Sequence, residues 1–478
     1  MSHKYHVRFA PPPTFPTPRT SSLNTESDRN QAAAVGRRAC KSRQGCAECK
    51  RRHVKCDETF PVCLRCKRRG SLCQSAPRAR QWQLELPWLS GNSPSNLDPY
   101  EYSQTSKRLL QYWCEKSSYI MVADPDHPNP LSFPILAFLQ QSQSLALVVE
   151  TASASHEQFF KKSTKRLEER SRALSLIQSD LASVKTNLIP CFIAVYLLGS
   201  MTGWMDCHLD DFGKQHLFGA RAILDMIISV PPSKRVEHTA FAIGAYVYWN
   251  MACSFLIAPS DQADSDWPAM DTVVHELADT YIPAVGYSVE LYHLLGKVGK
   301  YCRRINDKGA RDHTLELTWE ERLLRWSPYG GNKNHIMLAD AYRYHGLINL
   351  YRICGSAPTS EEDSEMPFLF VSVEEDLNQV IRQYALQAVH NLMQIPASSG
   401  LTNMQAIPLM SAGSELSKED YTERLEVKER LKAVYSVNRL PANLLTIELL
   451  DELWALRDAG IMITWLELML RKGWSLVH

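Results

Sequence analysis

The sequence predicts a small six-cysteine module followed by a large all-α domain, on three observations. The stretch from Cys46 to Cys73 writes one unit twice: Cys-x2-Cys-x6-Cys and, six residues later, Cys-x2-Cys-x6-Cys again. Charge gathers around it, since residues 37–80 hold fourteen basic and three acidic residues, net +11, in a chain of net +1, leaving about −10 for the remainder. From residue 101 to 478, apolar residues recur at spacings of three and four without period-two alternation, the pattern of helices rather than strands. A hydrophobic content of 45% is enough to bury a sizeable core.

Taken in order, residues 1–36 open with Pro11-Pro12-Pro13 and continue through Ser, Thr, Asn and Gln. That composition predicts a disordered tail, and it lacks the apolar run of a secretory signal. Residues 37–80 form the module. Three thiolates per half fall short of the four ligands that tetrahedral zinc takes, so six cysteines serve two zinc ions only if two thiolates bridge. The internal symmetry makes Cys46 and Cys63 the bridges. One ion would then be held by Cys46, Cys49, Cys56 and Cys63, the other by Cys46, Cys63, Cys66 and Cys73. Cysteine arithmetic alone also permits a disulfide framework, but a Cys-x2-Cys pair is cramped for a structural disulfide. The other seven of the 13 cysteines are scattered, as buried free thiols of a reducing compartment are, and Cys40 reads as an unused flanking thiol.

These residues resemble the fungal binuclear zinc cluster (Zn2Cys6) transcription factors. The likeness covers the six cysteines at their spacing, the basic run from Lys50 to Lys55, Cys56-Asp57-Glu58, Pro61 between the halves and Gly70 before the last cysteine. It implies two short helices around a metal pair, with the end of the first presented to the major groove of double-stranded DNA, usually at CGG-type triplets. In the family the residues three and four places after the second cysteine approach the bases, which here are Arg52 and His53. Arg52 has the fork for guanine O6 and N7. His53 stands where a lysine is often found, leaving the preferred triplet open. Lys50, Arg51, Lys55, Lys67, Arg68 and Arg69 read as phosphate clamps, which set register without reading sequence. Arg37-Arg38 and the basic runs also suit nuclear import.

Prolines and small polar residues continue after the module, and 81–100 reads as a linker. Pro77, Pro87, Pro94 and Pro99 interrupt any coiled coil there, so a homo- or heterodimer through this segment has no heptad to rest on. Residues 101–478 read as one helical domain. Near its end, Ile447, Leu450 and Trp454 form one stripe and Leu449, Leu453 and Leu456 another, predicting a widely buried helix that stops at Asp458-Ala459-Gly460. Thr464 with Glu467 predicts a capping box, Gly473 closes that helix, and Ser417 with Asp420 is a weaker start. The uncharged run Thr239–Ser260 approaches bilayer length, but Gly244, Asn250 and Ser254 and its central aromatics mark a buried bundle helix, so no membrane is expected. The region also resembles the second type of fungal-specific transcription factor domain, through Leu109-Leu110-Gln111-Tyr112, Asn129-Pro130, His216-Leu217-Phe218-Gly219-Ala220-Arg221, Leu350-Tyr351-Arg352, Arg457-Asp458-Ala459-Gly460 and Lys472-Gly473-Trp474. That resemblance implies an all-α regulatory domain; with the Zn2Cys6 module it completes the expected architecture.

No nucleophile elbow, metalloprotease helix, P-loop or dinucleotide fingerprint occurs, so an enzyme is not expected. His208, Asp210, Asp211 and His216 read as a polar turn entering a helix rather than a metal site. Residues 361–376 hold seven acids around Phe368-Leu369-Phe370; a loop docking on the core is favoured over an activation segment that engages coactivators. The expectation is a nuclear, sequence-specific transcription factor of the RNA polymerase II type, an activator of a metabolic or resistance gene set that works with the transcription machinery. The alternative is a repressor or cofactor whose cluster acts in protein interaction or a heterodimer.

Overall fold

A computed structural model describes residues 45–74, 104–123, 129–157, 164–183, 187–205, 212–236, 238–262, 267–355 and 374–476, together with two four-residue strands. The strands, His6–Phe9 and Trp82–Glu85, pair antiparallel with His6 opposite Glu85 and Phe9 opposite Trp82. The two strands fall within the stretches expected as tail and linker, and their pairing satisfies backbone groups on either side of the module. The rest of the tail at 1–36 and of the linker at 81–100 lies outside the described residues. So do His208, Asp210 and Asp211, Cys40, and all of the acidic stretch before Glu374.

The six-cysteine module contains two short helices, Ala47–Arg51 and Leu64–Arg69, as its resemblance implied. Both are capped the same way. The Sγ of Cys46 accepts from the N–H of Cys49 at 3.3 Å, and that of Cys63 accepts from the N–H of Cys66 at 3.4 Å, so each half begins with a sulfur N-cap. The second helix ends on Gly70 at φ +61°, a left-handed conformation that costs glycine little.

The remaining described residues are almost entirely helical and share one continuous buried cluster. Its centre is formed by helices Thr239–Ala252, Val289–Asn306 and Lys333–Cys354. Two of these approach closely at Gly296, where a Cβ would meet Asn250 Nδ2 at 3.0 Å and Met251 Cα at 3.6 Å. The Thr239–Ala252 helix is buried along most of its length, and its mid-helix aromatics have partners within the bundle. Tyr248 and Tyr342 hydroxyls lie 3.2 Å apart, and Tyr342 donates to the Met404 carbonyl at 2.7 Å. These bonds keep the Tyr248 and Tyr342 hydroxyls satisfied inside the core. Among the described residues no helix is long and apolar enough to cross a membrane.

The C-terminal helices follow the local signals. Ala442–Asp458 buries Leu449, Leu450, Leu453 and Trp454, and the chain leaves it through Gly460 at φ +85°. Thr464 and Glu467 complete the expected capping box, and Gly473 takes φ +64° after Trp465–Arg471. The weaker start is displaced: Asp420 accepts from the Ser417 N–H at 2.8 Å, but the helix begins only at Tyr421 and runs to Asn438. Asp420 also pairs with Arg382 at 2.6 Å, and its side chain makes no capping bond to the helix it precedes. Three helices are locked together by the buried Glu415, paired with Arg352 at 2.6 Å and Arg457 at 3.1 Å. Burial pushes its carboxyl up, but the Arg457 and Arg352 guanidiniums outweigh that and hold it below the ordinary glutamate value.

Candidate metal centre and nucleic-acid interface

All six cysteines of the module are buried, none more than 5% exposed, with only Val54 and Val62 packed against them. The module has almost no apolar interior of its own. What converges in its place is sulfur: the Sγ atoms of Cys46, Cys49, Cys63 and Cys66 all lie within 4.8 Å of one another. Cys46 is 3.9 Å from Cys63 and 3.7 Å from Cys66, and Cys63 is 3.8 Å from Cys49. These spacings are nearly twice a disulfide bond, so the pairs are unlinked thiols.

Two sulfurs from each half make up this group of four. Each of the four faces sulfurs from both halves, and Cys56 and Cys73 complete the set of buried cysteines. Cys56 Sγ accepts from the Glu58 N–H at 3.4 Å, and Cys73 Sγ accepts from the Cys63 N–H at 3.4 Å. Burial pushes the thiols of Cys46 and Cys63 far above the ordinary cysteine value, with the charge of Cys73 adding to it. Thiolates packed this closely need cations among them, and a soft divalent ion at sulfur distance supplies that charge. The donor set therefore fits zinc.

The basic residues stand around this centre on the outside. Lys50, Arg51, Arg52, His53 and Lys55 are exposed at the end of the first helix, and Lys67, Arg68 and Arg69 are exposed along the second. His53 takes φ +54°, which ends the helix beside Arg52 and turns the chain toward Cys56. Two acids to which sequence reasoning gave no role in the site shape this surface. Glu48 receives the Arg51 fork, Nε at 3.0 Å and NH2 at 2.9 Å, and also bonds Arg52 Nε. Hydrogen bonds from Arg52 and Arg51 hold its carboxyl below the ordinary value. The spacing i, i+3 and i, i+4 was a visible signal for these pairs.

Asp57 is the second. Its Oδ1 accepts from the Leu64 N–H at 3.0 Å, the Thr59 N–H at 3.2 Å and the Thr59 hydroxyl at 2.5 Å, and its Oδ2 accepts from the Arg65 N–H at 3.3 Å. It thus ties the loop between the halves to the first turn of the second helix. Burial raises its carboxyl, but these hydrogen bonds outweigh it and hold it well below the usual carboxylate range. Seven residues separate Asp57 from Leu64, and no local spacing rule points across that gap.

Comparison with known proteins agrees with this geometry. The model of the fungal Zn(2)-Cys(6) binuclear cluster domain matches residues 44–83, and that of the fungal specific transcription factor domain matches residues 108–478. A 58-residue stretch is 45% identical to the Lysine biosynthesis regulatory protein LYS14 of Saccharomyces cerevisiae, covering 12% of this chain and 7% of that one. No solved structure gives a significant match.

Proposed function

The chain belongs to the fungal specific transcription factor family, its cluster domain binds two zinc ions, and from that premise we propose how it reads DNA. The family implies DNA-binding transcription regulation and is typically nuclear. Our reading is that Cys46, Cys49, Cys56 and Cys63 hold one zinc and Cys46, Cys63, Cys66 and Cys73 the other, with Cys46 and Cys63 bridging. The observation that carries it is the convergence of buried sulfurs between two sulfur-capped helices, with all eight candidate DNA contacts exposed around them. Zinc supplies the charge and cross-links that hold this small module folded.

On DNA, Arg52 and His53 would face base edges in the major groove at a CGG-like triplet. Lys50, Arg51, Lys55, Lys67, Arg68 and Arg69 would hold phosphates. Arg51 and Arg52 are held by Glu48 in the free protein, so docking on DNA exchanges that carboxylate for phosphate and guanine. The helical domain is the regulatory part, working with the transcription machinery to activate a metabolic or resistance gene set in the nucleus.

The test is selection from a randomised duplex library by the zinc-loaded full chain at two salt concentrations. Enrichment of a CGG-like triplet is the expected result, and the spacing of paired triplets would give the oligomeric state on DNA. Binding that is blind to sequence and steep in salt would reduce the module to an electrostatic anchor and refute base reading.

A further inference from the structure

The zinc module and the helical domain touch at a defined place. Ser436, in the last turn of helix Tyr421–Asn438, donates from Oγ to the Pro61 carbonyl at 2.5 Å. Beside it, the Tyr435 hydroxyl accepts from Gln74 Nε2 at 3.3 Å. Ser436 and Tyr435 are both buried, as is Pro61. We propose that this helix turn is a docking seat for the chain's own zinc module, gripping it at the Pro61 loop and at Gln74, so that reader and regulatory domain move as one body.

Three features support a built seat rather than a chance touch. Both grips act on rigid points of the module. Pro61 lies in the loop that joins its halves, and the Gln74 carbonyl accepts from the Ala47 N–H at 3.3 Å, beside Cys46 at the start of the first helix. The seat is itself fixed in the domain: the Asn438 carbonyl accepts from His156 Nε2 at 3.0 Å, and Asn438 Oδ1 accepts from the Leu440 N–H and from Asn443, each at 3.0 Å. Finally, the grip points lie apart from the basic residues at 50–55 and 67–69, which stay exposed while the module is seated. The seated state therefore leaves the DNA-facing side open, and its consequence is orientation: a change in the helical domain that shifts the Tyr435–Ser436 turn shifts the reader.

The test is hydrogen exchange on the zinc-loaded full chain. Ser436→Ala leaves the buried Pro61 carbonyl without this donor. With zinc content unchanged, amides in 57–74 should then exchange about fivefold faster, while 374–394 is unaffected. Gln74→Ala, placed outside the helical domain, should in turn speed exchange at the last turn of helix Tyr421–Asn438. Unchanged exchange at 57–74 in Ser436→Ala, with zinc and 374–394 intact, overturns the seat. Should Ser436→Ala loosen 374–394 as well, the Gln74→Ala readout decides: faster exchange at 433–438 upholds the seat and unchanged exchange overturns it. Neither readout involves DNA, so the seat and the DNA reading can fail separately.

Discussion

Replacing Asp57 with alanine isolates how the module depends on one side chain that is not a ligand. The substitution removes the acceptor for the N–H groups of Leu64 and Arg65, which open the second helix, and for the Thr59 N–H and hydroxyl in the loop. Loss of a side chain that accepts from the first N–H groups of a helix costs about 0.5–2 kcal/mol. Asp57 is exposed, so water recovers part of the loss, and about 1.4 kcal/mol is the expectation. The module buries little besides its six cysteines, Val54 and Val62. Its folding free energy is therefore mostly zinc-binding free energy, and the deficit appears as roughly tenfold weaker competition against a chromophoric chelator. Asp57→Asn keeps one acceptor oxygen and should fall between the two. Because the folded carboxyl lies well below the unfolded value of about 3.9, its stabilisation is fully present above that value and is lost only on strong acidification. The deficit should accordingly stay constant from about pH 6 to 8. Equal chelator midpoints for wild type and Asp57→Ala would refute the role; an Asp57→Asn protein as weak as Asp57→Ala would assign it to charge rather than to hydrogen bonds.

Arg52→Ala should relax base preference in a competition assay, whereas Lys67→Ala should weaken all sequences alike and lower the salt slope by about one unit; equal behaviour of the two would refute the division of labour. Glu48→Gln frees Arg51 and Arg52 from a carboxylate and should tighten DNA binding several-fold at low salt, with unchanged or weaker binding counting against the exchange mechanism. Glu415→Gln leaves Arg352 and Arg457 facing a neutral amide in the core and should lower the unfolding free energy by about 3–5 kcal/mol in urea titration; a loss under about 1 kcal/mol would show the network to be dispensable. Burial pushes His345 down to about 3 and His156 down to about 4, so both are neutral in the folded chain while their unfolded counterparts protonate near pH 6.5. The unfolded state then binds more protons as pH falls. Stability should drop by about 1.4 kcal/mol per pH unit for each histidine between roughly pH 6 and 5, and flat urea midpoints over that range would refute it.

What could be read from the sequence alone was whatever is decided by neighbours along the chain. Six cysteines within 28 residues, each half repeating one spacing, specify a two-metal module because their geometry is set by two turns and two short helices. Thr464 with Glu467 specifies a helix start for the same reason: both partners sit within one turn. The Thr239–Ser260 run could be read as core because its polar and aromatic residues were misplaced for a membrane, and Tyr248 does find its partner inside the bundle. Glu48 was legible in principle from its spacing to Arg51 and Arg52.

Tertiary structure decided the rest, where partners are distant in sequence and local propensity is silent. Asp420 bonds Ser417 as their spacing suggests, but no local signal points to its other partner, Arg382, 38 residues away. Glu415 has no local signal for the two arginines that neutralise it from 63 and 42 residues away. The seat is the extreme case. A hydroxyl at Ser436 and a carbonyl at Pro61, 375 residues apart, are each ordinary by themselves. Only the packing of the helices brings them together, because a single hydrogen bond is too weak to close so long a loop and forms only where the core has already fixed both ends.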